Sequence, residues 1–562
     1  MSDRPRKVLI VGGVAGGMSA ATRLRRLDES AEIVVFERSW YVSFANCGLP
    51  YHVSGVIEDR QALLLQTPES LGRRFGIDVR VGHEVVSIDR DAKRVSVRDL
   101  NTDRITTESY DTLILSPGAA PFVPDIPGAE RALTLRNIAD VDKMVAAVGR
   151  RPHTAVVVGG GFIGIEVAEN LQHLGIDVTV VEMADQLLAP LDPEMAAYVA
   201  QQLVDNGIEV LTGNEVVAIG EKTVTLGSGD ELPADMVVMS IGVRPDSHLA
   251  KDAGLEVNGR GGIVVDEYQR TSDPDIFAVG DAAEKRDAVS GEAAMVPLAQ
   301  TANRHGRLVA DVIVGRRTTS KPVLGTAIVG VFGLMAASVG WNEKRLRAAG
   351  RNYRAIHAHP GSHAGYYPGS EALHLKLLVD ADTDEILGAQ AIGKDGADKR
   401  IDVIATAMRG GLKGADLADL ELAYAPQFGS AKDPINMLGF IDDNVVNGQS
   451  ELVQWHEVEA ARKAGIPLVD VRTPGEFRRG HIPGSINLPV DELRNRLDEV
   501  PAGDLVITCQ VGLRGHVAER ILRQAGHQVR NLTGGYQTWS TATRPLAKPA
   551  WTESPAEEEA AR

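Results

Sequence analysis

Only two cysteines, Cys47 and Cys509, occur in 562 residues. A secreted domain stapled by disulfides needs several paired cysteines, so that architecture is excluded and each thiol has to be read from its neighbours. A cysteine with no informative neighbours reads as a small buried hydrophobe. Long apolar runs are missing as well. No stretch approaches the roughly 20 residues that span a bilayer. The run Val8–Val11, which follows a polar and basic start, is too short for the core of an export signal. No membrane partner is expected, and the cytoplasm is the expected location. Positive charge is in deficit: 59 Lys and Arg against 76 Asp and Glu leave a formal net charge of -17. A nucleic-acid partner is therefore not expected, because its electrostatic footprint would be basic. Local Arg and Lys clusters can still hold small anions. No metal site is expected.

At roughly 100–200 residues per domain the chain should contain three to five domains. The run Val8–Val11, a glycine-rich turn, the helical pattern Met18–Leu27 and the run Ile33–Phe36 ending at Glu37 make a β-α-β unit. The pattern repeats as Ala155–Val158, Gly159–Gly164, a helix through Leu174, and Val178–Val181 ending at Glu182. Two such units imply two dinucleotide sites. Further strands are expected at Asp111–Leu115, leading into Ser116-Pro117-Gly118, at Asp235–Ile241, leading into Gly242, and at Asp275–Val279, leading into Gly280-Asp281. From about Gly325 to Phe440 the pattern changes to longer alternating strands, such as Leu373–Val379, with helices such as Ile401–Arg409. The polar stretch Asp442–Ser450 reads as a linker, and a new α/β pattern begins after it, with strands at Pro467–Val471 and Asp504–Cys509. The Glu-, Ala- and Pro-rich end is expected to be disordered.

In the second unit Gly159 permits a tight turn, Gly161 lets backbone approach a pyrophosphate, and Gly164 allows close helix packing. Phe162 and Ile163 open a helix whose free N–H groups face the phosphates. Glu182 can accept the hydroxyls of a ribose and would repel a 2′-phosphate, which favours NADH over NADPH. The first unit reads Gly12-Gly13-Val14-Ala15-Gly16-Gly17, with Val14 where a middle glycine is usual. Gly13 is the shifted candidate for backbone approach, Ala15 and Gly16 open the helix, and Glu37 followed by Arg38 ends the strand. A purely structural β-α turn is the competing reading of each loop.

The two fingerprints followed by Thr271-Ser272-Asp273-Pro274-Asp275-Ile276-Phe277-Ala278-Val279-Gly280-Asp281 resemble the flavoprotein disulfide reductase family over roughly residues 7–440. The resemblance implies FAD at the first loop, with Asp281 on its ribityl chain, and NAD(P)H at the second. The implied fold is α/β: two Rossmann-like FAD/NAD(P)-binding domains, an α+β dimerisation domain, and the separate C-terminal domain. The expected boundaries are 1–120 with 247–325 for FAD, 121–246 for NAD(P)H, 326–440 for dimerisation, 441–452 for the linker, 453–546 for the last domain and 547–562 for the tail.

Many members of that family carry Cys-x-x-x-x-Cys after the first β-α-β unit. Here the segment is Ser43-Phe44-Ala45-Asn46-Cys47-Gly48-Leu49-Pro50-Tyr51-His52, so His52 stands where a second thiol would be. Cys47 cannot close an internal disulfide, and its redox partner must come from outside as a mixed disulfide, a persulfide or a sulfenic acid. Lying near a helix N-terminus and beside an oxidised flavin, its thiol is expected to have a depressed pKa. The segment, with Gly-Gly-Val-Ala-Gly-Gly, resembles that of CoA-disulfide reductases, which implies a CoA ligand. Arg23 and Arg26, three apart on the first helix, and Arg73 and Arg74 could hold its phosphates. Ser19, Ser43, Asn46, Asn303 and Lys432 are implied contacts by family position. In the third unit Tyr366, Tyr367 and Tyr424 are candidates to donate a proton to a departing thiolate. Ordinary aromatic packing competes, and nothing in the sequence separates Tyr366 from Tyr367. The resemblance also implies a homodimer.

Cys509 follows a strand and precedes Gln510-Val511-Gly512-Leu513-Arg514 and a helix expected from about Gly515 to Gln524. A loop of backbone N–H groups and the positive Arg514 would stabilise a thiolate or persulfide there. This loop, with Asp470–Phe477, Gly480–Asn487 and Thr533-Gly534-Gly535-Tyr536, resembles single-domain rhodaneses over about 453–545. The whole chain resembles fusions of a CoA-disulfide reductase with a rhodanese, a type also described as NADH-dependent persulfide reductases. That implies reduction of CoA persulfide, CoA disulfide or polysulfide through Cys47, with Cys509 handling sulfane sulfur. The alternatives are an NADH oxidase or peroxidase cycling Cys47 through a sulfenic acid, and a non-catalytic sulfur sensor.

Overall fold

The computed structural model describes residues 5–546, so the expected disordered tail at 547–562 lies outside the described residues. The chain forms two compact units. One runs through Met183 and resumes at Asn214–Gly325; the other comprises Ala184–Gly213 and everything from Thr326 onward.

The first unit is built on two parallel sheets. Strand Lys7–Val11 lies between Glu32–Glu37 and Thr112–Leu115, with Asp78–Val81 and Ile276–Ala278 at the two edges. Val8, Leu9, Ile10, Val34, Val35, Leu113 and Ile114 are buried. These strands read as unbroken β-branched and leucine runs because both faces of a parallel sheet are covered. Helix Ala15–Leu27 packs on this sheet beside helix Ala299–Ile313. A Cβ on Gly306 would sit 2.1 Å from the Gly16 carbonyl oxygen, so glycine there permits the close approach of the two helices. The second sheet centres on Thr154–Val158, flanked in parallel by Asp177–Glu182 and Met236–Met239, with helix Phe162–Gln172 following its glycine loop.

The second unit holds an antiparallel sheet and a parallel one. The antiparallel sheet orders Ala327–Val331, Leu334–Gly340, Ile386–Gly393, Leu373–Asp380 and Tyr353–Ala358. The parallel sheet orders Leu452–Val453, Gln528–Leu532, Asp504–Thr508, Leu468–Asp470 and Ile486–Asn487. Its core gathers Val469, Leu493, Ile507, Cys509 and Leu522.

Two expectations need revising. Residues 184–213, assigned by sequence to the nucleotide domain 121–246, group with the second unit. The physical tie is electrostatic: Asp192 and Glu194, at the start of helix Pro193–Asp205, are the partners of the fully buried Lys376. The stretch 441–452, read as a linker for its polarity, is helical through Val446, in the helix Pro434–Val446. Asp442 is fully buried and ion-paired with Arg354 at 2.9 Å, so its charge marks a packed element and not a solvated one. Helix Leu513–Gln524 begins two residues before the expected Gly515.

Candidate active sites

Both glycine loops have the shape of pyrophosphate cradles. Gly12 has φ +99°, and a Cβ there would sit 2.0 Å from the Ser116 carbonyl oxygen; Gly159 has φ +106°. A Cβ on Gly164 would fall 1.9 Å from the Gly159 oxygen. Its counterpart in the first loop is Gly17, 2.0 Å from the Gly12 oxygen, a packing glycine that the shifted fingerprint concealed. A Cβ on Gly161 would meet no atom within 4 Å, which leaves open space on the side where a ligand would approach. Helices Ala15–Leu27 and Phe162–Gln172 have no side-chain cap and no acidic residue in the first turn, so their terminal N–H groups and positive dipole ends are not met by an acid. Glu37 accepts the Gly13 N–H, and Glu182 the Gly160 N–H, each at 2.8 Å. These carboxylates stand at the strand ends expected of ribose acceptors and also brace the loops. Arg38 pairs with Asp246 at 3.4 Å. Gly118 and Gly242 are in the left-handed region.

Asp281 follows strand Ile276–Ala278 in a short turn, Gly280–Ala282. Burial pushes its carboxyl up, against the charges of Lys285 and Arg136. Lys285 is itself buried, donates to the Gly280 and Ala283 carbonyls at 2.5 and 2.7 Å, and is pushed down to about 8 by burial. Arg136 donates to the Pro117 carbonyl at 3.1 Å, and its own carbonyl accepts from the Asn46 amide at 3.3 Å. Arg136 thus joins Asn46 to the Ser116-Pro117-Gly118 loop. Open glycine loops, uncapped helix ends and a half-buried acid at a strand edge fit the expected FAD and nicotinamide dinucleotide.

Cys47 is exposed, in a three-residue turn, Asn46–Gly48, before the short helix Leu49–Val53. Ser43, with φ +48°, is held by its N–H on the Gly13 carbonyl at 2.8 Å, which fixes the segment against the first glycine loop. His52 gives no thiol-like chemistry: its Nδ1 lies 2.7 Å from the Ile57 carbonyl. The expected depression of the Cys47 thiol is not what the polypeptide itself produces. Burial pushes the thiol up, and the charges of Glu166 and Asp281 push the same way. The adjoining helix has five residues, so its dipole is too weak to reverse this. Glu166, raised by its own burial, accepts a hydrogen bond from the Tyr51 hydroxyl at 3.1 Å. Glu166, Arg136 and Lys285 come from three separate segments and carried no sequence signal, whereas Tyr51 lies within the quoted Cys47 segment.

Of the expected CoA contacts, Ser19 and Asn303 meet: the Ser19 hydroxyl donates to Asn303 Oδ1 at 2.5 Å across the seam of the two packed helices. Arg23, lower on the same seam, is bound to Asp311 at 2.8 Å, which neutralises it. Arg26, Arg73 and Arg74 are exposed.

In the second unit the tyrosines separate. The Tyr366 and Tyr424 hydroxyls are 2.8 Å apart, whereas Tyr367 lies edge-on to His363 with ring centroids 5.7 Å apart. Tyr366 is 76% exposed and Tyr424 48%, so this pair can meet a ligand. Lys432 is exposed. The carboxylates of Asp192, Glu194 and Glu343 converge in the manner of metal ligands, but the Lys376 ammonium binds all three.

Cys509 is buried at the end of strand Asp504–Thr508. The Gly512 N–H, set by φ +107°, donates to its Sγ at 3.1 Å, and the Tyr536 N–H holds its carbonyl at 2.8 Å. Arg514 lies within Coulombic reach of the thiol but is clamped to Glu476.

The fold and both sites define a flavoprotein-type pyridine nucleotide oxidoreductase joined to a sulfur-handling domain. The family model of pyridine nucleotide-disulphide oxidoreductases matches residues 6–306, its dimerisation-domain model 317–433, and the rhodanese-like domain model 454–542. The chain belongs to the pyridine nucleotide-disulphide oxidoreductase family. It is 37% identical over 440 residues to the coenzyme A disulfide reductase of Staphylococcus aureus, covering 77% of this chain and 99% of that one. The reduced CoADR-RHD of Bacillus anthracis superposes with a TM-score of 0.95 at 49% identity, covering 96% of this chain and 99% of that one. The NAD-dependent persulfide reductase of A. fulgidus does so with 0.90 at 37% identity, covering 95% and 100%.

Proposed function

We propose that this chain uses NAD(P)H to reduce the S–S bond of CoA persulfide, CoA disulfide or polysulfide through Cys47, and handles sulfane sulfur at Cys509. The carrying observation is the lone thiol: Cys47 has His52, bonded to the Ile57 carbonyl, where a resolving cysteine would be, so its S–S partner must be a substrate. Residues around Gly12–Gly17, Glu37, Ser116–Gly118 and Asp281 would hold FAD; those around Gly159–Gly164 and Glu182 would hold the nicotinamide dinucleotide. FAD held there would supply the two-electron chemistry that links the reduced nicotinamide to the sulfur site.

The polypeptide does the rest. The Cys47 thiolate attacks a substrate sulfur, forming one S–S bond as another breaks. Overall CoA–S–SH, NADH and a proton give CoA–SH, hydrogen sulfide and NAD⁺; CoA disulfide gives two CoA–SH. Burial and Glu166 oppose thiolate formation in the polypeptide alone, so cofactor and substrate binding must supply the stabilisation. Ser19, Asn303, Ser43, Asn46, Arg26, Arg73, Arg74 and Lys432 are the candidate CoA contacts, with Arg23 held by Asp311. Tyr366 paired with Tyr424 is the candidate proton donor to the leaving thiolate. Glu182 favours NADH. We place the enzyme in the cytoplasm as a homodimer; no helix among the described residues is long and apolar enough to cross a membrane.

The test is anaerobic NADH oxidation driven by CoA persulfide, with Cys47→Ser beside the parent protein. Turnover should vanish in the variant; unchanged turnover refutes the proposal. Peroxide-driven NADH oxidation outpacing the persulfide reaction would instead favour the oxidase or peroxidase chemistry, which has no use for a sulfur-carrying domain.

A further inference from the structure

Arg514 lies within Coulombic reach of Cys509 and Arg472 reaches the neighbouring Gln510, and both are committed to internal partners. Arg514 donates through Nη1 to Glu476 Oε2 at 2.8 Å and through Nη2 to Oε1 at 2.6 Å, a bidentate pair. Glu476 cannot easily follow a displaced arginine, because Oε2 also accepts the Thr473 N–H at 2.9 Å and the Thr473 hydroxyl at 2.8 Å. Arg514 holds the Glu476 carboxyl down at about 2, so the pair stays ionised at any working pH. Arg472, 2% exposed, is bound to Asp470 at 2.7 Å, to the Gly480 carbonyl and to Gln510, and it lies over the Tyr536 ring at 4.2 Å. The four charges cancel. What remains directed at the sulfur is a neutral donor, the Gly512 N–H at 3.1 Å. The loop residues Gln510 and Val511 are uncharged, and Leu513, the first residue of the helix that follows, is 72% exposed. A dianionic donor entering this loop would lose hydration without gaining a cation, whereas an uncharged chain would gain apolar contact.

We propose that the Cys509 site selects persulfides carried on an uncharged organic arm over small oxyanionic donors such as thiosulfate, and that Glu476 sets this choice by sequestering Arg514. The proposal rests on Cys509 being a sulfur carrier. The Cys509 thiolate attacks the terminal sulfur of R–S–SH; the Cys509 S–S bond forms, the bond from that sulfur to R–S breaks, and R–S⁻ leaves as the thiol after taking up a proton. No net oxidation occurs. With cyanide as acceptor, the sulfur departs as thiocyanate and the Cys509 thiolate returns.

The test measures thiocyanate formation by the full-length protein without NADH, with pantetheine persulfide and with thiosulfate as donors. The parent protein should favour the persulfide by at least about 100-fold in kcat/KM. Glu476→Gln should free Arg514 and raise kcat/KM for thiosulfate about tenfold, mainly through KM, while Glu476→Asp retains the parent selectivity. Comparable use of both donors by the parent protein overturns the proposal with no substitution needed. So does a Glu476→Gln variant of parental melting temperature whose donor ratio is unchanged. Thiocyanate formation that survives Cys509→Ser strikes the carrier reading itself, which separates the two failures.

Discussion

Replacing Lys376 by methionine should destabilise the second unit more than any loss of apolar packing at that position would. Lys376 is fully buried, and its ammonium binds Asp192 at 2.8 Å, Glu343 at 2.5 Å, and Glu194. Methionine fills a similar volume but leaves three buried carboxylates facing one another. They retain other donors: Gln390 and the Glu343 N–H on Asp192, His357 on Glu194, and Tyr353 and Arg347 on Glu343. Removing one side of a buried ion pair costs about 3–5 kcal/mol. At roughly 2–4 °C per kcal/mol for a unit of this size, the transition should fall by about 6–20 °C. Burial pushes Glu194 and Glu343 up, but Lys376 outweighs it and leaves both below the ordinary carboxylate value of 4.5. Depressed carboxylates contribute stability above their unfolded pKa and lose it as pH falls. Without Lys376 burial and mutual repulsion raise these carboxyls instead, and their protonation relieves the variant as pH falls, so its deficit should be largest at neutral pH and shrink towards pH 4. Differential scanning calorimetry of both proteins at pH 7.5 and pH 5 tests this. A transition unmoved at pH 7.5, or a deficit that grows on acidification, would refute the reasoning.

Other outcomes follow from the same geometry. His374, pushed down to about 4 by burial from 6.5, stays neutral in the fold. Its contribution to stability is complete above pH 6.5 and lost as pH falls towards 4, on the order of 2 kcal/mol by pH 5; His374→Asn should flatten that part of a urea-melt pH profile. Tyr366→Phe removes one partner of an exposed hydroxyl pair, so it should leave the melting temperature within about 2 °C while lowering kcat by about 10²-fold if this hydroxyl protonates the leaving thiolate. Glu166→Gln removes a negative charge that pushes Cys47 up, so the pH midpoint of its alkylation by iodoacetamide should move down; a midpoint that rises would show that Glu166 acts on the thiol in another way.

Local pattern made much of this molecule legible. Each β-α-β unit lies within about thirty consecutive residues, and both glycine loops and both strand-end glutamates form where their spacing required. The loop around Cys509 was equally readable, since strand, glycine and helix follow one another directly. Missing from the sequence was everything set by charges meeting across distant segments. Asp442 read as linker because a charge in one dimension looks solvated, whereas Arg354, 88 positions away, buries it. Arg23 read as a free cation, whereas Asp311, 288 positions away, is ion-paired with it.

The sequence by itself determined the dinucleotide folds, the solitary state of Cys47 and the presence of a second sulfur site, because these depend on residue type and short spacing. Tertiary structure alone decided which charges remain available. It placed Glu166 near Cys47, locked Arg514 onto Glu476 and paired Tyr366 rather than Tyr367 with Tyr424. An ion pair or a pKa is set by atoms a few ångströms apart in space, and separation along the chain carries almost no information about that distance.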